Sequence, residues 1–168
     1  AKSRRSVRNF SERPVDYAVV ERAIELAIQA PSSCNRLPFR LIVSQNHESA
    51  TEMLALPFGA SGWGESAPCS IAVIGDFSSF FSPRDRHSVY TDSSLFAMSL
   101  CFALETLGLS STLVNWPELA AQDLRAKRKL GLRNHEKIVM FIALGYPDNS
   151  SRVPRSAKKA PSSFVEKR

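Results

Sequence analysis

The chain has 168 residues, of which 43% are hydrophobic and 23% charged, and a net charge of +6. That size favours one domain with a core large enough to need no staple, and no run of eighteen apolar residues offers a membrane span. Three cysteines (Cys34, Cys69, Cys101) and three histidines (His47, His87, His135) are scattered without CxxC or HExxH spacing. This argues against a disulfide framework or a zinc site and reads as reduced thiols in a cytoplasm.

The chain opens on "RRSVRNF", Arg4 to Phe10, with no apolar stretch behind it, so it does not read as a secretory signal. Arg4, Ser6 and Arg8 alternate. In an extended segment they point to one side and make a fork for a phosphate; the plainer alternative is a solvated tail. Pro14-Val15-Asp16 then reads as a helix entry with Asp16 as N-cap. In "YAVVERAIELAIQA", Val20, Ala23, Ile24, Ala27 and Ile28 form one apolar face, and Pro31 ends the helix. The turn-rich "PSSCNRLPF" leads into a buried strand, "FRLIVS". Its exposed amide and hydroxyl groups suit a flat heteroaromatic ligand, although an ordinary turn has the same composition.

A short helix is expected from Glu48 to about Leu56, followed by the glycine-rich loop "FGASGWGESAP". That loop matches neither GxGxxG, GxxxxGK[ST] nor GxSxG, which removes the dinucleotide, P-loop and nucleophile-elbow readings. "CSIAVIGD" is the second strand and "FSSFFSPRDRH" a loop. From Asp92 a long helix, apolar all round and so expected to be covered on every side, runs to Gly108 as C′ residue. "SSTLVNW" is a third strand, Pro117 opens a helix to about Leu130, and "KIVMFIALGYP" is the fourth and strongest strand. After Asp148 the chain is polar and proline-bearing, and either disordered or wrapped around another subunit. The alternation of helices and strands by itself suggests a parallel α/β sheet.

Positive charge gathers at the two ends: Arg4, Arg5 and Arg8, then Arg152, Arg155, Lys158, Lys159, Lys167 and Arg168. It suits an anionic partner. A basic module binding nucleic acid through its tails is one candidate, but no basic helix face and no RNP-like interleaving of aromatic and basic residues is present.

Five motifs in order, "RRSVRNF", "PSSCNRLPF", "ALETLGLSS", "IALGYP" and "VPRSAKK", resemble the FMN-dependent nitroreductase family over nearly the whole chain. The resemblance implies an α+β fold: a three-layer α/β/α arrangement around a mixed, largely antiparallel sheet. It implies a homodimer with exchanged C-terminal segments, so that residues 1–150 form the FMN-binding domain and 151–168 an arm around the partner. It also implies two FMN sites at the dimer interface. Arg4, Ser6, Arg8, Arg155 and Lys158 would hold the phosphate, with Arg5 near the ring edge or acting through its backbone. Pro31, Ser32, Ser33 and Asn35 would approach the ring or ribityl chain from the partner. Leu113, Val114, Asn115 and Trp116 would run beside the flavin, with a backbone amide at Asn115 or Trp116 facing N5. No side chain is then required as a general base, and no metal. NADH or NADPH would reduce the cofactor and a nitroaromatic, quinone or similar acceptor would reoxidise it, in ping-pong fashion. A flavin-dependent oxidase, dehydrogenase or dehalogenase working on its own metabolite is the alternative within the same resemblance.

Leu37 stands where the family usually has glutamine, and Asn115-Trp116 where it often has an acidic or small residue and glycine. Trp116 and Trp63 could each narrow the acceptor site or pack in the core. The segment between the second strand and the long helix is short, so a more open pocket is expected, edged by Phe80, Phe81, Arg84 and His87 unless these lie on a plain exposed loop. The start at Ala1, so close to a binding motif, suggests a processed or truncated chain.

Overall fold

A computed structural model describes residues 2–44, 46–154 and 156–166. Two strands are apolar at nearly every position and therefore need cover on both faces. They are β2 (Cys69–Asp76) and β4 (Glu136–Gly145), and they pair at the centre of a four-stranded sheet. β1 (Phe39–Val43) flanks β2 and β3 (Ser110–Asn115) flanks β4, giving the order β1-β2-β4-β3.

Every ladder of the four strands is antiparallel, which corrects the parallel sheet suggested by alternation and agrees with the largely antiparallel sheet implied by resemblance. The reason lies in the connections. The helix after β1, α2 (His47–Leu54), has only eight residues and is followed by tight turns. The link therefore re-enters the sheet at the end it left. α4 (Ala120–Leu130) does the same between β3 and β4. Only α3 (Arg86–Thr106), roughly 30 Å long at 1.5 Å per residue, carries the chain the full length of the sheet. It places β3 parallel to β2 with β4 between them.

The helices divide into two layers. α1 (Tyr17–Ala27) and α3 cover one face, packing Val20, Ala23, Phe96 and Leu100 on Ile71, Val73 and Ile142. α2 and α4 cover the other, packing Met53, Leu54 and Ala126 with Ala72, Ile74 and Phe141. Asp16 caps α1 by accepting from the Ala18 N–H at 2.9 Å. α3 begins at Arg86, earlier than its apolar period shows, because Ser82 and Pro83 open a 3-10 turn that runs straight into the helix. It is not covered all round within one chain: Leu95 and Phe102 are exposed. α4 begins three residues after Pro117, behind a turn in which the Leu119 N–H donates to the Pro117 carbonyl.

One buried ion pair ties the sheet edge to its centre. Glu136, 1% exposed, accepts from Arg40 Nε at 2.7 Å, Arg40 Nη2 at 2.9 Å and the Arg133 N–H at 2.7 Å. The hydrogen bond from Arg40, strong enough to outweigh burial, holds the Glu136 carboxyl down at about 2, against an ordinary 4.5. At the other end of β4, Gly145 has no room for a side chain. A Cβ there would sit 2.6 Å from Pro68 Cγ and 3.1 Å from Phe10 Cδ1. That glycine is what lets the N-terminal segment and the entry to β2 close over the end of the strand.

Candidate functional site

The N-terminal segment folds along the free edge of β3. Ser6 bridges Ser111 in parallel, the Val7 N–H donates to the Ser111 carbonyl at 3.3 Å, and the Thr112 hydroxyl donates to the Val7 carbonyl. This is the one parallel pairing among the described residues. Farther on, the Ser11 N–H donates to the Tyr146 carbonyl and the Asp148 N–H to the Asn9 carbonyl, both near 3 Å. Val7 and Phe10 supply the apolar half of the segment and are buried. Ser6 and Arg8 are consequently turned outward, as period-two alternation requires.

The arginines occupy distinct positions on this strap. Arg4 is half-buried, two residues before the bridge to Ser111, and its charge acts on the Cys101 thiol, which burial pushes up and the Ser111 hydrogen bond and Arg4 pull back. Arg5 folds its guanidinium onto the Lys2, Ser3 and Arg4 carbonyls at 2.7–3.2 Å, so it shapes the strap. Arg8 is exposed and has no acidic partner within 4 Å among the described residues. Its guanidinium lies 5.8 Å from the Trp63 ring, and its carbonyl accepts from the Ser66 hydroxyl at 2.8 Å. Unopposed guanidiniums beside an exposed serine hydroxyl fit a phosphate, which needs charge-assisted donors from several sides.

β3 presents alternating faces to this strap. Leu113 and Asn115 are exposed; Val114 and Trp116 are buried among Phe141, Leu56 and Ala60. The Trp116 indole donates to Asp123 Oδ1 at 2.7 Å and meets Phe141 edge-on. Trp116 therefore packs in the core. At Val114 and Trp116 only the backbone is left to face a ligand. Burial works against ionisation of Asp123, but hydrogen bonds from Lys137 and Trp116 outweigh it, and its carboxyl is held below the ordinary range. Trp63, half-buried, donates to the Gly59 carbonyl at 2.9 Å and stands beside Arg8.

The second group of residues lies elsewhere in the chain. The turn after α1 carries three residues in the left-handed region, Cys34 (φ 55°), Asn35 (φ 54°) and Leu37 (φ 46°). Asn tolerates that conformation; for Cys34 and Leu37 it stores on the order of 1–3 kcal/mol each. Pro31 and Asn35 are exposed and Ser32 is half-buried, with its hydroxyl accepting from the Leu37 N–H at 3.1 Å. Ser33 instead turns inward. Its N–H donates to Asp92 Oδ2 at 2.9 Å and its hydroxyl reaches Asp92 Oδ1 at 3.3 Å. Arg36 donates to the Ser79 carbonyl and lies over the Phe80 ring at 5.2 Å, pinning the loop before α3 to the turn. Phe81, Arg84 and His87 are exposed on that loop and the first turn of α3.

Among the described residues no hydrogen bond or ion pair joins these two groups: the turn is fastened to Asp92 on α3, and the strap to Ser111 and Thr112 on β3. Arg155 lies outside the described residues, as do Lys167 and Arg168 of the basic C-terminus. Lys158 is on the exposed C-terminal segment and makes no hydrogen bond or ion pair with the strap among the described residues. Two residues escape sequence reasoning. Ser66 could be reached only through the fold, whereas Asp92, a lone acid inside an apolar helical run, is a visible signal that reads as a helix start.

Comparison with known proteins returns one family throughout. The sequence model described as Nitroreductase family matches residues 1–60 and 46–146. An Archaeoglobus fulgidus protein, named as a candidate NADH dehydrogenase/NAD(P)H nitroreductase, is 31% identical over 149 residues, covering 86% of this chain and 82% of its own. Among solved structures, a nitroreductase family protein of Streptococcus pneumoniae superposes with a TM-score of 0.83 at 22% identity, over 98% of this chain and 96% of that one. A candidate nitroreductase of Desulfovibrio desulfuricans, solved in complex with FMN, gives 0.83 at 20% identity, over 99% and 93%.

Proposed function

We propose, from the premise that this chain belongs to the nitroreductase family, that it is an FMN-dependent oxidoreductase acting as a homodimer. It would pass electrons from NADH or NADPH to a nitroaromatic, quinone or similar acceptor in ping-pong fashion. The observation that carries the reading is the strap along β3, where Ser6 and Arg8 face outward, Arg4 stands alongside, and no acid opposes Arg8 among the described residues.

Bound FMN would supply the two-electron chemistry linking donor to acceptor. The chain's own work is to bind and orient. Arg4, Ser6 and Arg8 grip the phosphate, with Arg155 and Lys158 as the proposed contribution of the C-terminal arm. The backbone N–H of Asn115 or Trp116 is the proposed donor toward N5, where charge and hydrogen accumulate on reduction. Trp63, beside Arg8, and Leu113, exposed on β3, give the flavin apolar neighbours.

What one chain leaves incomplete supports the dimer. No hydrogen bond joins the 31–35 turn to the strap among the described residues, and a second copy would bring such a turn to it. Leu95, Phe102 and Leu113 are exposed apolar groups on or beside α3 and await cover. β1 has an unpaired outer edge, bordered by a groove of about 1050 Å³ whose walls include Val15, Leu41 and Val43. The arm, exposed at residues 156–166 and carrying Phe164 and Val165, has the composition to fill it from the partner. The decisive experiment is anaerobic. Purified protein should be yellow and bleach on adding NADH or NADPH. A yellow protein indifferent to both nicotinamides would move the reading to an oxidase or dehydrogenase with its own substrate, and a colourless one that ignores added FMN would end it.

A further inference from the structure

We infer that Asp92 is a positioning residue of the flavin site, and that Ser33 is the strap by which it holds the turn and not itself a flavin ligand. The inference rests on the reading that the 31–35 turn contacts flavin. Asp92 is 3% exposed, yet its carboxylate has no cationic partner within 4 Å among the described residues. Its two oxygens are given to one residue, Ser33, at 2.9 Å from the backbone N–H and 3.3 Å from the hydroxyl. A buried carboxylate is costly to keep, and helix packing gains nothing from it. Here it spends both oxygens on a turn three of whose residues, Cys34, Asn35 and Leu37, are in the left-handed region.

Such a turn persists only where its surroundings over-determine it. Three fastenings do so. Asp92 fixes Ser33 from below, Ser32 accepts from Leu37 across the turn, and Arg36 is tied to Ser79 and Phe80 at the far side. The central fastening is the only one that enters the core. With Ser33 drawn inward, Pro31 and Asn35 are left as the outward face of the turn, and Asp92 sets the height at which that face stands. An alanine at 92 removes both acceptor oxygens and with them both bonds, whereas an asparagine would keep the backbone bond through its oxygen and could donate its NH2 to the Ser33 hydroxyl, which accepts as well as donates.

The test titrates full-length wild type, Asp92→Ala and Arg8→Ala with FMN and with riboflavin, which lacks the phosphate. The readouts are flavin fluorescence and the visible spectrum of the bound flavin. Asp92→Ala should weaken both flavins by a similar factor of at least about tenfold and alter the bound spectrum, because both bonds to Ser33 are lost and the fault is at the ring or ribityl chain. Arg8→Ala should weaken FMN alone. Should Asp92→Ala fail to fold, Ser33→Ala removes just the hydroxyl bond, and a loss of about threefold for both flavins is expected. Wild-type binding together with unchanged affinity and spectrum in Asp92→Ala, or in Ser33→Ala where that variant stands in, overturns the inference alone. So does a loss confined to FMN. Wild-type protein that binds neither flavin overturns the parent reading and this one with it.

Discussion

Replacing Glu136 by glutamine isolates the one strongly depressed carboxyl in the core. In the folded chain it ionises at about 2, against an ordinary 4.5. A depressed folded value means that the stability is fully present above pH 4.5 and drains away as pH falls toward 2. The full difference corresponds to about 3.4 kcal/mol. Arg40 is 39% exposed and solvent screens the pair, so we expect about 2–3 kcal/mol at pH 7, with roughly 1–2 of it gone by pH 3. The assay is urea unfolding at pH 6 and pH 3, at one protein concentration, followed by tryptophan fluorescence from Trp63 and Trp116. The gap between wild type and Glu136→Gln should be large at pH 6 and clearly smaller at pH 3. An equal gap at both, or one under about 0.5 kcal/mol at pH 6, would refute the reasoning.

Arg8→Ala should weaken FMN by about 1.5–3 kcal/mol, the range for charged hydrogen bonds, with folding stability within about 0.5 kcal/mol because the side chain is exposed; unchanged flavin retention on dilution would count against the clamp. Trp116→Phe should cost about 1–2 kcal/mol of stability through the lost bond to Asp123 and leave acceptor preference alone, which a panel of nitroaromatics and quinones would check. Gly145→Ala should destabilise by about 1–3 kcal/mol through overpacking against Pro68 and Phe10; a neutral melting temperature would contradict the crowding at that strand end. Truncation after Asp148 should impair dimerisation, and a yellow, dimeric product in sedimentation would remove the role given to the arm.

Much of this molecule is legible in local pattern. β2 reads correctly to the residue because seven consecutive apolar or small residues, closed by Asp76, need cover on both faces. Asp16 and Gly108 mark helix ends through chemistry confined to a few neighbours. What the sequence hides is non-local. Pairing direction depends on where each connection re-enters the sheet, so alternation alone pointed to the wrong ladder. The first two turns of α3 are polar on the surface and carry no period. Trp116 looks equally suited to a pocket and a core until Asp123, a helix away, claims its N–H.

The candidate site divides in the same manner. The alternation of Ser6, Val7 and Arg8 foretells a segment with one polar face, and the edge of β3 gives it a track. Ser33, by contrast, reads as one more ligand in a polar turn. Its inward orientation is set by an acid some sixty positions away, which only the fold brings to it. No single-chain pattern could separate those roles.

Subunit complementation tests the central claim most directly. Arg8→Glu disables the strap and Asn35→Trp obstructs the turn, and each protein alone should bind FMN poorly. If each site takes its arginines from one chain and its turn from the other, mixed dimers contain one intact site, and about a quarter of all sites should recover wild-type affinity after subunit exchange. Recovery to that level is the predicted result. No recovery, with exchange into mixed dimers verified by mass spectrometry, would contradict the account.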